Sequence, residues 1–131
     1  MGKDKIYDLN LHDSVIKEIV IHRAGDQIDT VTFHLDYIED YKTSETTNRI
    51  LEFSECFAFY ADLNFGYAPP DAILDAKVVS RSELIQKIEN SFEKMTCKPQ
   101  SLGLKHYHIE TSTTGSVIDI VARNVKLTTP E

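Results

Sequence analysis

Apolar and polar residues alternate along much of this chain, and the places where the alternation slips are as informative as the places where it holds. Leu9 and Leu11 alternate with Asn10 and His12, the period of two of a half-buried strand. After His12-Asp13-Ser14 the apolar positions resume as Val15, Ile16, Ile19, Val20 and Ile21, one residue out of step. A bulge or sharp bend at residues 12–14 predicts that slip, because one extra residue carries the following side chains to the opposite face. Asp and Ser suit such a place, since their short side chains bond nearby backbone N–H groups. His12 and Asp13 are also readable as a catalytic or metal pair, although no third ligand or nucleophile adjoins them.

From 27 to 37, Val31, Phe33, Leu35 and Tyr37 alternate with Thr30, Thr32, His34 and Asp36, which predicts a second strand. Ala24-Gly25-Asp26 has turn chemistry and predicts an antiparallel hairpin between the two strands. The polar stretch Glu39 to Thr47 reads as a solvated loop. Asn48 to Phe65 is the longest apolar stretch, with Leu51, Phe53, Phe57 and Phe59 at odd positions and Glu55 as the break. Its length predicts a bent strand, or two strands with a bulge near Glu55. A buried Glu55 would need a partner, whereas a bulge would turn it into solvent.

Gly66 to Asp71 punctuates the chain with two prolines, and Ala72 to Val79 reads as a short strand. Ser80 with Glu83 three residues later reads as a capping box. Leu84, Ile85, Ile88, Phe92 and Met95 then fall on one face of a helix, a stripe suited to packing on a sheet. Leu104–Thr111 and Ser116–Leu127 flank the turn Ser112-Thr113-Thr114-Gly115 and predict a closing hairpin, in which Gly115 takes a left-handed conformation. The predicted class is α+β: a strongly curved, mainly antiparallel sheet of about six strands with one amphipathic helix, in the order β-β-β-β-α-β-β, as a single domain over residues 1–131.

Composition narrows the function classes. At 131 residues, 41% hydrophobic and 27% charged, the chain has the makings of a packed core. It carries no apolar run of membrane-spanning length, so the expectation is a cytoplasmic protein without a membrane partner. Cys56 and Cys97 lack metal-site spacing and read as reduced thiols. A formal charge of −7 disfavours direct binding to nucleic acid and suits a basic protein partner.

Candidate chemistry is sparse. His106 and His108 flank Tyr107 on a predicted strand, so both imidazoles project from one face, about 7 Å apart. They could bind a metal if His34, Asp36 or His12 supplied a third ligand from a neighbouring strand. The same pair is equally at home on a solvated sheet face. No G-x-S-x-G turn and no glycine-rich phosphate loop is present, so no catalytic residue and no cofactor is assigned.

The stretches Leu11-His12-Asp13-Ser14-Val15-Ile16-Lys17-Glu18-Ile19, Ile50-Leu51-Glu52-Phe53 running to Asn64-Phe65-Gly66, and Ser116-Val117-Ile118-Asp119-Ile120-Val121-Ala122 together resemble the small bacterial immunity-like domains, including the YxiG-like group, encoded beside polymorphic toxins. That resemblance implies a non-catalytic cytoplasmic inhibitor without cofactor, bound to a toxin domain. Its transferable content is element order, with no site residues. Joined to the charge, it points to Asp36, Glu39, Asp40 and Glu45 as part of an acidic face for a basic toxin domain, against the plainer reading of a solubilising surface. Two other classes stand beside it: a metal-dependent enzyme or metal-binding domain on the His106/His108 face with His34, and a structural or oligomerising module using Tyr60, Phe65 and Tyr67. The expected state is a monomer or weak homodimer.

Overall fold

The computed structural model describes residues 11–23, 29–40, 42–43, 45–65, 71–92 and 103–130, the side chains of Asp40 and Phe92 excepted. Predictions at Leu9, Asn10, Gly25, Tyr67, Met95 and Cys97 fall outside these residues. The elements are β1 (Val15–His22), β2 (Thr30–Asp40), β3 (Glu45–Asp62), β4 (Ile73–Val79), α1 (Glu83–Phe92), β5 (Lys105–Thr111) and β6 (Val117–Thr128). They form an antiparallel six-stranded sheet in the order β1-β2-β3-β6-β5-β4, with a single helix among the described residues, an α+β architecture. No described helix is long and apolar enough to cross a membrane.

The two edges of the sheet meet at one end. Val15 bridges Ala72, the Asp13 N–H donates to the Ile73 carbonyl at 2.8 Å, and the Ile73 N–H donates to the Ser14 carbonyl at 2.8 Å. One face of every strand therefore looks into a shared interior. Leu35, Leu51, Ile73, Ile109 and Ile120 are buried there, around Phe53, which meets Phe33 and Tyr107 edge-on. Burying each such side chain contributes roughly 1.5–3 kcal/mol before entropy is subtracted.

Residues 11–14 form a tight turn ahead of β1, closed by the Ser14 N–H on the Leu11 carbonyl, with Asp13 at a φ of 70°. The bend predicted at 12–14 is therefore present, but the slip in alternation arises later. The β1–β2 register shifts between Ile16 and Glu18, so Lys17 is the extra residue and both Ile16 and Ile19 reach the core. The polar stretch read as a loop is instead strand at both ends, since β2 runs to Asp40 and β3 starts at Glu45. Cross-strand pairing of Asp36–Ile38 with Thr46–Asn48 extends the ladder beyond the apolar pattern.

β3 is one continuous strand of 18 residues with a kink. Glu55 has a φ of 54°, and around it Phe53 and Cys56, three apart, both face the main core. β6 does the same opposite, with Ala122 and Val125. Because both strands gain a residue at the same level, their pairing stays in step from Ile50 to Cys56. Glu55 does not turn freely into solvent: its carboxylate accepts from Arg123 Nη1 at 3.0 Å and Asn124 Nδ2 at 2.8 Å. A true register shift follows between Cys56 and Ala58. It places Phe57 and Ala58 on the outer face, against Val121, Leu104 and the Ile85 of α1.

The helix begins two residues later than its capping signal suggested. The cap is Ser82, whose Oγ accepts the Ile85 N–H at 3.1 Å, and not Ser80. Starting there leaves Ile85 buried and places the same hydroxyl on His106.

Candidate functional site

The period of two on β5 sends Tyr107 and Ile109 into the core and His106, His108 and Glu110 to the outer face. On β6, Asp119 lies directly opposite His108. Asp119 Oδ1 sits 2.7 Å from His106 Nε2 and 2.7 Å from His108 Nδ1, so a single carboxylate oxygen holds both rings. The remaining ring nitrogens are also engaged: His106 Nδ1 with Ser82 Oγ at 2.9 Å, and His108 Nε2 with Glu110 Oε2 at 2.8 Å. The result is a chain Ser82–His106–Asp119–His108–Glu110 that ties the start of α1 to the centre of the sheet.

Electrostatics follow from this wiring. Burial disfavours the charged form of His108, yet hydrogen bonds to Asp119 and Glu110 and their negative charge outweigh it and hold the imidazole above its ordinary pKa. Burial likewise opposes ionisation of Asp119, but hydrogen bonds to His108 and His106 keep its carboxyl below the usual carboxylate range. Partial burial is what gives these effects weight, the His106, His108 and Asp119 side chains being 16%, 27% and 26% exposed. Ser82, His106 and Asp119 stand in the order of a nucleophile, base and carboxylate. Ser82 is nevertheless engaged as the helix cap, and the Asp119 oxygen is shared with a second imidazole.

The third ligand predicted from sequence is corrected. His34 lies on β2, separated from β5 by β3 and β6, and lines a shallow groove with Lys17, Asn48 and Arg49. Neither it, Asp36 nor His12 joins His106 and His108; Asp119 does. His12 and Asp13 sit 3.5 Å apart on the surface, with His12 Nδ1 on the Leu74 carbonyl at 2.9 Å, as parts of the turn that docks on β4. In the acidic set, Asp36 pairs with Lys17 at 3.5 Å, and Glu39 is held by Arg49 and Thr47, whose hydrogen bonds keep its carboxyl below the ordinary range. Glu45 is exposed, and the Asp40 side chain lies outside the described set.

Two residues escaped the sequence reading. Asp119 carried a signal, a lone carboxylate between Ile118 and Ile120 in the apolar strand β6. Ser82 carried none beyond being a second serine before the helix. A further polar cluster at the β5–β6 turn has a structural role: the Asp71 carboxylate accepts the N–H groups of Thr113 and Thr114 at 3.0 and 3.1 Å and the Thr114 hydroxyl, clasping the segment before β4 to the turn. No protein-family model matches the chain, and no curated protein matches it.

Proposed function

We propose that the protein is a non-catalytic binding protein of the immunity-like kind, which covers a basic toxin domain in the cytoplasm. The observation that carries this reading is the state of the sheet edges. Apart from the Val15–Ala72 bridge, β1 and β4 each pair on one side only among the described residues, and both expose apolar side chains: Val20 and Ile21 on β1, Leu74 and Val79 on β4. Edge strands are ordinarily blunted by charge, because a row of open backbone groups beside apolar side chains invites another chain. On β1 the charges and the bulge at Lys17 and Glu18 guard one end, and the Val20–Ile21 end is the part open to strand addition, a recurring mode of protein recognition. β1 is antiparallel to β2, so its apolar end at Ile21 and the acidic β2–β3 tip with Glu39 and Glu45 lie at opposite ends of one side of the sheet. A formal charge of −7 would speed encounter with a basic partner.

The test is co-expression with a candidate basic toxin domain, sought among the products of adjacent genes. The expected result is a stable stoichiometric complex that removes toxicity and whose association slows as salt is raised, and Ile21→Lys is expected to weaken it at least tenfold. Absence of a complex and of protection refutes the reading, and an unchanged affinity in Ile21→Lys refutes the role of the β1 edge.

A further inference from the structure

We infer that His106, His108 and Asp119 form a binding site for one divalent transition-metal ion of the zinc type, on the outer face of β5 and β6. One ligand atom from each of the three lies within 4.8 Å of the other two, and His106 Nε2 and His108 Nδ1 are the nitrogens that meet Asp119 Oδ1. Zinc bonds nitrogen at about 2.0–2.1 Å and carboxylate oxygen at about 2.0–2.2 Å, so small side-chain rotations bring all three onto one ion. The rings face inward for a reason visible in their outer nitrogens. His108 Nε2 rests on the Glu110 carboxylate and His106 Nδ1 on the Ser82 hydroxyl. The inner nitrogens donate to Asp119, and a bound ion would take the place of those protons while the outer nitrogens stay on Glu110 and Ser82, the arrangement of carboxylate–histidine–metal sites.

The donor set selects the ion. Two imidazoles with one carboxylate suit zinc, nickel or copper, whereas calcium and magnesium take oxygen ligands almost exclusively. The local charge agrees: Asp119 and Glu110 carry the cluster itself, and the recess beside it adds one acid and one base, Glu83 and Lys87. Half-burial limits competition from water without closing the site. Three protein ligands leave a position open to water or to a donor from another molecule. The site stands on a different face from the β1 edge and does not rest on the proposed function.

The experiment is a calorimetric titration of the chelator-stripped full chain with Zn2+ alone, with two-dimensional 1H–15N NMR of the same samples to place the ion. The expected result is saturable binding of one ion per chain, with resonance changes centred on β5, β6 and the start of α1. His106→Gln and His108→Gln should each weaken binding at least tenfold. Glu110→Gln, acting through His108, should weaken it by about tenfold to a hundredfold at unchanged stoichiometry. His34→Gln and His12→Gln should leave it unchanged. Absence of saturable binding to the wild-type chain overturns the inference, as does binding that survives in both His106→Gln and His108→Gln or maps to another region. The wild-type titration and its NMR map decide the matter even if a variant fails to fold.

Discussion

Phe53→Ala and Phe53→Leu together measure how much the interior depends on its aromatic centre. Phe53 is fully buried, its ring 5.4 Å from that of Phe33 at 64° and 5.1 Å from that of Tyr107 at 62°. It thereby joins β3 to its neighbour β2 and to β5, which lies beyond β6 in the sheet. Truncation to alanine in a close-packed core costs about 3–5 kcal/mol, a large part of the roughly 5–15 kcal/mol that holds a domain of this size together. Leucine keeps most of the apolar surface but loses both edge-on ring contacts, each worth about 0.5–1.5 kcal/mol beyond area, so a loss of about 1–3 kcal/mol is expected. Urea denaturation followed by circular dichroism reads this directly. With a slope of about 2 kcal/mol per molar urea, a loss of 4 kcal/mol moves the midpoint by about 2 M at unchanged slope. Phe65, 89% exposed, is the internal control, and Phe65→Ala should lie within about 0.5 kcal/mol of wild type. A Phe53→Leu variant as stable as wild type, or a Phe65→Ala variant as costly as Phe53→Ala, would refute the reasoning.

Three further outcomes follow from single contacts. Ser82→Ala should cost about 1 kcal/mol through the lost helix cap while Ser80→Ala stays near neutral, and equal losses by thermal denaturation would contradict the cap assignment. Burial opposes ionisation of Asp71, but hydrogen bonds from Thr114, Thr111 and Thr113 outweigh it and hold its carboxyl pKa below the ordinary value. A lowered folded-state pKa gives stability that is present above the unfolded value of about 3.9 and lost as pH falls through the folded one, so the gap between wild type and Asp71→Asn should be constant near neutrality and close below about pH 4 in acid titrations. Burial pushes the Cys56 thiol up to about 11, so mass spectrometry should find it alkylated far more slowly at pH 8 in the native chain than in urea, and equal rates would show that the thiol is open to solvent.

Strand identities were legible because the interior is one-sided. Val31, Phe33 and Leu35, or Tyr107 and Ile109, alternate with polar residues since only one face of their strands is buried. Where both faces are covered the alternation fades, as at Val121 and Ala122, which fill opposite faces of β6. Element ends were less legible. The β2–β3 ladder continues through Asp36–Asp40 and Glu45–Thr47 on backbone pairing and on the Glu39–Arg49–Thr47 contacts, none of which leaves an apolar signature.

The candidate site was half legible for the same reason. That His106 and His108 share a face follows from the strand period alone, but which residue lies across from them depends on register, and register is set by irregularities that composition does not announce. Lys17 is an ordinary polar residue, yet it shifts β1 by one position against β2. Glu55 did announce itself, as the residue that breaks the alternation in the longest apolar stretch, but its meaning lay in β6. A left-handed residue in one strand of a pair would normally break the ladder beyond it. Here β6 matches it, with Ala122 and Val125 both facing the core across Arg123 and Asn124, and those two side chains hold the Glu55 carboxylate. The kink is thus a joint property of residues 68 and 69 positions apart in the chain. Since β6 also carries Asp119 to its place opposite His108, the packing of β3 against β6 and the pairing of β6 with β5 together set the geometry of the histidine cluster. A change at Glu55 should therefore reach the cluster through β6, without touching any of its members.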